Sequence, residues 1–407
     1  MSAIISSFYA SRALARRAQA LYPGAMSLKR LRILYLLAFG ALGALMPYVG
    51  MELERVGLSG TAIGVVLLGF PLGRVLAGPI WAWAADRYRI AGRLLSISTA
   101  LSIVGALILI PAKTVPVALL GLSVFALGRS PQGPLLDGLS MVLLGDRRAE
   151  YGRIRLWGSF GFLVCTLAAG FLHDRFQLSP LVFGTFVMVA FALGALFLED
   201  DRAPAPSSDL LPALKAVLRR PGTTGFFIAA ALHLAAQGGY DLFLAVHVRS
   251  MGWSTSVASM ALAMGVAVEI VVLWAMPRIL PKLGEGRVVV IGMSVAAFRW
   301  WALARITDPV LLIALQALHG LTYGAYWAAA VSWLAERTPD HIATSSQSLF
   351  YAAGWGIGGA TGALLGGWLL EHLGSAAMYD RLTWFSLAAA LIAFTSMRRA
   401  SRAAPCP

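Results

Sequence analysis

Charge is scarce along this chain. Asp, Glu, Lys and Arg make up 13% of its 407 residues and mean hydropathy is +0.74, whereas soluble domains carry about a quarter charged residues. An ordinary soluble protein is therefore excluded. Cysteine is nearly absent: Cys165 lies in an apolar run and Cys406 in the tail, so no disulfide is expected between them. No Gly-rich turn is followed by Lys and Ser/Thr, which leaves no phosphate loop. Neither a His-rich metal cluster nor a nucleophile–base pair is visible, so an enzyme is not expected and no metal or organic cofactor is called for. Acids are few as well, 19 against 33 Lys and Arg, for a net charge of +14.

What the chain does have is apolar length. Continuous apolar runs of about 20 residues recur, each enough for a ~30 Å hydrocarbon core. Only helices or closed barrels span lipid, and the runs do not alternate, so helices are expected. Spans fall near 31–50, 59–85, 93–112, 115–143, 154–173, 179–198, 223–248, 256–280, 287–306, 309–335, 343–371 and 378–397. The expectation is an all-α membrane protein of twelve transmembrane helices in two pseudo-symmetric six-helix bundles.

The basic excess invites a nucleic-acid reading, but its placement argues against one. Six Lys and Arg lie in loops on one side (Arg55, Lys113, Arg175, Arg249, Arg305, Arg381) and four at or within spans (Arg74, Arg129, Arg155, Arg299). The remaining Lys and Arg lie in the termini and the opposite loops. Positive charge marks the cytoplasmic side, so both termini are expected in the cytoplasm and the protein in the inner (plasma) membrane. Its partners are then lipid and a small-molecule substrate, and a monomer is expected.

The longest polar stretch between spans, Glu199 to Pro221, holds Pro204, Pro206, Ser207 and Ser208 among mixed charges, the composition of a flexible linker. It divides the chain into an extension (1–30), a first bundle (31–198), a linker (199–222), a second bundle (223–397) and a tail (398–407). Residues 1–25 carry Arg12, Arg16 and Arg17 and no acid, which suits a targeting peptide; Met26 to Arg30 also reads as an ordinary start just before the first span. Parallel six-span repeats place a substrate between them near the midplane. Gly354, Gly358, Gly362 and Gly366 fall four apart on one helical face, a face suited to close helix packing.

A few ionisable residues lie deep in these runs, where a charge costs roughly 2.5–3.5 kcal/mol on insertion scales. Residues equally far from the turn of an antiparallel hairpin share a depth. Glu269 and Arg299 are each 15 residues from Gly284, about 22 Å at 1.5 Å per residue. Arg299 and His319 are each ten from Pro309, and Asp137 and Arg155 each nine from Asp146. One acid, one guanidinium and one imidazole thus share a layer. Both acid–Arg pairs could be static. A proton-coupled carrier, however, needs an acid whose proton affinity can be switched; burial favours the neutral carboxyl and a nearby Arg the carboxylate, while imidazole titrates near neutrality. Tyr240–Asp241 lies inside span 7 with His233 before it, and Asp241 has no basic partner on span 11. Trp157, Phe160, Trp300, Tyr323, Tyr326 and Trp327 are candidates for stacking on a ring-bearing substrate, or for facing lipid.

These residues resemble a family. Asp137 with Glu150-Tyr151-Gly152-Arg153-Ile154-Arg155-Leu156-Trp157-Gly158-Ser159, and the stretches around Glu269, Arg299 and His319, are similar to the major facilitator superfamily. The likeness is to its branch of lactose permease, nucleoside:proton symporters and phenylpropionate-type permeases. Asp86-Arg87 with Gly92-Arg93 resembles the superfamily's gating loop. The resemblance implies proton-coupled uptake, with Asp137, Arg155, Trp157, Asp241 and Tyr323 at the substrate and Glu269, Arg299 and His319 coupling protons. Lactose permease carries an acid one turn after its His, where Thr322 stands here, and a Lys on helix 11 that has no counterpart. Proton carriage would then move to Glu269 or Asp137. The reading is a symporter for an aromatic or other organic acid, a nucleoside or a sugar. The alternatives are a proton-driven multidrug or metabolite exporter of the same fold, or a non-transporting sensor.

Overall fold

The computed structural model describes residues 28–73, 77, 81, 91–144, 151–196, 218, 220–338 and 343–402. Asp86 and Arg87 of the expected gating loop, Arg74, residues 1–27 and most of the linker lie outside them. Every regular element among the described residues is helical. A helix satisfies its own backbone polar groups, which hydrocarbon cannot do.

The first part of the chain supplies α1 (Leu28–Leu45), α2 (Val49–Arg55), α3 (Gly60–Leu67), α4 (Ala91–Leu109), α5 (Val115–Arg129), α6 (Gln132–Leu144), α7 (Tyr151–Phe176) and α8 (Pro180–Ala195). After the linker come α9 (Thr223–Ser250), α10 (Thr255–Leu283), α11 (Glu285–Leu303), α12 (Pro309–Leu315), α13 (Tyr326–Glu336), α14 (Ala343–Tyr351) and α15 (Gly359–Arg402). Among the described residues, six helical stretches are long and apolar enough to cross a membrane: Leu28–Arg55, Gly92–Leu109, Arg153–Phe176, Thr223–Ser250, Thr255–Leu283 and Glu285–Leu303. Gly60–Gly73 and Pro180–Ala195 are shorter apolar helices.

Local chemistry sets the breaks. Ser179 and Asp308 cap α8 and α12 through their side-chain oxygens, each followed by Pro at the first helical position, where its missing N–H costs nothing. Gly374, with φ 81°, breaks α15 into two legs. Two π-helical turns interrupt the apolar runs, Gly320–Ala325 before α13 and Ala352–Gly358 before α15.

The glycine stripe faces α9. A Cβ at Gly354, Gly358, Gly362 or Gly366 would meet Leu234 Cδ1, the Ala231 carbonyl, the Ala235 carbonyl or Phe243 at 2.3–2.8 Å, so α15 lies against α9 at a distance only glycine allows. Outward, large apolar side chains such as Phe186, Trp274, Val310 and Leu391 are more than three-fifths exposed, the surface of a multi-pass membrane protein and not of a water-soluble one.

Among the described residues the core is continuous at one end and divided at the other. Near the turns at 56–59, 177–179 and 251–254 one apolar cluster joins Tyr48, Val49 and Ile63 to Phe243, Ala258 and Ala363, bridging the chain before and after the linker. Towards the opposite end two clusters stand apart. One holds Leu31, Tyr35, Leu136 and Ile154, and the other Phe226, Leu234, Trp333 and Phe350.

The joined end is held by polar bonds that cross the linker division. Asp174 accepts from the backbone N–H groups of Thr255 and Ser256 (3.0 and 2.8 Å), donors that the N-cap Ser254 leaves without a side-chain partner. Glu371 accepts from Thr61 N–H (2.8 Å) and Ser59 Oγ (2.9 Å) at the start of α3. One acid from the first part thus caps a helix of the second, and one acid from the second caps a helix of the first. Tyr48 Oη lies 2.7 Å from Ser259 Oγ, and Arg249 pairs with Glu54 at 3.5 Å. We call this the latched end.

Candidate functional site

The deepest charge among the described residues is Arg299. It is fully buried on α11, and all three of its guanidinium nitrogens are hydrogen-bonded. Nη2 and Nε donate to Gln316 Oε1 (2.5 and 3.2 Å). Nη1 donates to Thr322 Oγ1 (3.1 Å) and to His319 Nδ1 (3.2 Å). The guanidinium also lies 4.1 Å from the Tyr240 ring centre and 4.7 Å from that of Trp300, within cation–π range. A forked planar donor suits this site as an ammonium would not. Gln316 and His319 are three residues apart and therefore on one helical face, which brings both to Arg299.

His319 stands between Arg299 and Glu269. Its Nδ1 accepts from Arg299, so a neutral ring carries its proton on Nε2, and Nε2 lies 3.6 Å from Glu269 Oε2. The expected layer of acid, guanidinium and imidazole is assembled, but Glu269 and Arg299 form no direct pair: the imidazole fills the space between them. Helices α10 and the π-helical turn can meet because Gly324 faces Glu269, where a Cβ would lie 2.9 Å from Cγ. The side chains of His319 and Glu269 are 11% and 21% exposed, so Glu269 is the member of the chain that solvent reaches most.

Thr322, standing where the resemblance led one to look for an acid, binds in two directions. Its hydroxyl meets Arg299 and its carbonyl accepts from His233 Nε2 at 2.9 Å. His233 is fully buried and rests on the Tyr326 ring, 4.3 Å between centroids. Asp241, on α9 beside Tyr240, accepts from Gln237 Nε2 (2.8 Å).

Aromatic rings continue the site away from the latched end. Tyr323 stacks on His319 (5.3 Å), then on Trp327 (5.8 Å), and meets Trp355 edge-on at 6.0 Å. Trp327 touches Phe350 and Tyr351, both at 4.9 Å. Tyr323 and Trp355 each sit on one of the two π-helical turns, a local widening frequent at functional sites. Trp300 and Tyr326 are wholly buried and offer no free face.

On the other wall Asp137 and Arg155 do not pair. Asp137 Oδ1 accepts from Tyr35 Oη (2.5 Å) and Tyr151 Oη (2.7 Å). Arg155 instead lies over Phe39, 4.0 Å from its ring centre. Trp157 is two residues on, hence on another face of α7. It is 39% exposed in a stripe with Phe160, Val164 and Phe171 that runs along the helix, so the structure does not bring it to Arg155. Arg93 is exposed in the first turns of α4. Sequence alone does not single out Gln316, Gln237, Tyr35, Phe39 or Trp355. Gln316 and Gln237 carried a legible signal, a polar residue three or four positions from a candidate on the same face.

The profile of the MFS_1 like family matches residues 28–380. The maltose permease of Geobacillus stearothermophilus is 26% identical over 353 residues, covering 85% of this chain and 89% of that protein. A protein named probable 3-phenylpropionic acid transporter, from Escherichia coli K12, is 24% identical over 348 residues, covering 84% and 90%. Among solved structures, the nucleoside transporter NupG superposes with a TM-score of 0.82 at 19% identity, over 92% of this chain and all of that one, a likeness of fold. With its long apolar helices, its buried charge layer and this family match, the chain belongs to the MFS_1 like family and is a membrane transporter of the major facilitator type.

Proposed function

We propose that this protein is a proton-coupled symporter that imports a small organic solute by alternating access, with twelve spans in two six-helix bundles and both termini in the cytoplasm. The observation that carries the reading is the chain Arg299–His319–Glu269. It is buried at its Arg end and reached by solvent at its acid end, beside the region where the core divides. A carboxylate that gains a proton loses its attraction for the imidazole next to it, so protonation and local packing are linked. Asp137, Arg155, Tyr323 and Asp241 are the proposed substrate contacts. The latched end is the outer side, on the placement of Arg55, Arg175, Arg249 and Arg305, and the conformation described is open to the cytoplasm.

The names of the relatives suggest the panel for a test: sugars and maltose, phenylpropionate and other aromatic acids, and nucleosides, offered to proteoliposomes under an imposed pH gradient. Uptake of one class that is driven by inward protons supports the reading. Proton-driven efflux of lipophilic cations alone would turn it into an exporter, and no flux of any solute would sink it.

The two acid caps should govern how often the outer end opens. Asn at 174 keeps one acceptor of the two, so Asp174→Asn loses one of the bonds to Thr255 and Ser256. Losing a helix cap typically costs about 1 kcal/mol, so the outward-open population should rise by up to about fivefold. Spin labels at Leu58→Cys and His372→Cys, read by pulsed dipolar spectroscopy, should gain a long-distance component. An unchanged distribution would remove Asp174 from the latch.

A further inference from the structure

An apolar crevice of about 180 Å³ opens between α10 and α11. Val272, Met276, Ile279 and Leu283 form one wall, Val288 and Ile291 the other, and Leu321 and Ala325 of the π-helical turn its floor. It exposes no polar surface, and its rim residues Val271, Ile291 and Leu283 are 63%, 46% and 43% exposed. From Val271 to Leu283 it runs twelve residues, about 18 Å of helix. That is close to the ~15 Å hydrocarbon depth of one leaflet.

The turn that follows the crevice is basic. Arg278, Lys282 and Arg287 are exposed around the α10–α11 turn, where Glu285 is the acid. Arg278 lies 4.8 Å over the ring of Trp274, itself 71% exposed, an aromatic–basic pair of the kind found at headgroup level. An apolar slot one leaflet long, ending in three cations, is complementary to a phospholipid of net negative charge.

We propose that an anionic phospholipid is seated here, one acyl chain in the crevice and its phosphate against Arg278, Lys282 and Arg287. The site rests on the transporter reading only for its leaflet; binding itself does not depend on coupling. Hydrocarbon gains little on leaving lipid for an apolar slot, so selectivity comes from the headgroup and residence from the fit of the chain. The occupant also touches a functional element. The floor residues Leu321 and Ala325 flank the turn that bears Tyr323, with Glu269 packed on Gly324. A seated chain therefore wedges α10 at a fixed distance from that turn.

The full-length protein in detergent, titrated with phosphatidylglycerol or phosphatidylcholine and observed by native mass spectrometry, tests this. The wild type should retain phosphatidylglycerol in preference. Arg278→Gln/Lys282→Gln/Arg287→Gln should weaken that binding at least about tenfold, three surface cations being lost, and should erase the preference. Ala275→Phe, which fills the crevice, should expel the lipid with the basic residues intact. Ile291→Phe at the rim serves if Ala275→Phe does not fold. Equal retention of both lipids by the wild type, phosphatidylglycerol binding that survives the triple change, or lipid retained with the crevice filled would each overturn the proposal. Because none of these readouts uses transport, a failure here is distinct from a failure of the symporter reading.

Discussion

Glu269→Gln should abolish accumulation against a gradient and leave exchange intact. Glutamine has the shape of the protonated acid and still presents an oxygen to His319 Nε2, 3.6 Å away in the wild type. It can neither release a proton nor acquire charge. The remainder of the network does not rest on Glu269: Arg299 is held by Gln316, Thr322 and His319. On the symporter reading, the solute site therefore survives while its link to the proton gradient is cut. The expected size follows from linkage. One proton moving down two pH units supplies about 2.7 kcal/mol, enough for roughly 100-fold accumulation of solute. In proteoliposomes under such a gradient the wild type should approach that ratio, and the variant should stay near one while counterflow of labelled substrate persists. Undiminished accumulation by the variant would falsify the coupling role of Glu269. Loss of counterflow as well would move Glu269 from coupling to substrate binding.

How far the sequence reaches is seen best in this network. Counting residues from a hairpin turn gives depth, because rise per residue is fixed, and Arg299 and His319 do meet, 3.2 Å apart. Rotation about each helix is not in that count. Whether Glu269 meets Arg299 or His319 depends on side-chain volume between neighbouring helices, and the imidazole wins the space. The same gap in information separates Asp137 from Arg155. Equal depth suggested a pair, but two tyrosine hydroxyls from α1 and α7 take the carboxylate and Phe39 takes the guanidinium. The glycine stripe was legible because its four-residue period is itself the geometry of one face. The acid caps were not. Asp174 acts on residues 81 and 82 positions away and Glu371 on residues 310 and 312 away, separations that no local period encodes. The π-helical turns were equally hidden, since a single widened turn leaves no spacing of its own in the sequence. Long apolar runs gave six helices of full spanning length directly. Span 4 is instead broken near Pro131, between α5 and α6, where the ring removes a backbone N–H.

Gly170→Leu should hold the latched end open and stop transport. A Cβ at Gly170 would fall 1.7 Å from Ser259 Oγ, 2.8 Å from its Cβ and 3.2 Å from the Thr255 carbonyl. Ser259 cannot easily step aside. Its hydroxyl donates to the Thr255 carbonyl (3.0 Å) and lies 2.7 Å from Tyr48 Oη, and Thr255 is fixed in turn by Asp174. The larger side chain must therefore push α7 away from α10. These helices touch across the division of the chain, so the parts before and after the linker can each keep their own core while the contact between them fails. Overpacking costs typically 1–3 kcal/mol, and the upper value shifts closed against open by about 150-fold. In the alternating-access reading, uptake should fall by that order while substrate still binds from the outer side. Gly170→Ala should fall between wild type and Leu. Pairing it with Ser259→Gly, which removes the obstructing hydroxymethyl, should restore much of the rate, a recovery that general instability would not give. Transport by Gly170→Leu at the wild-type rate would mean that α7 and α10 need not meet during the cycle, and the latched end would lose its role.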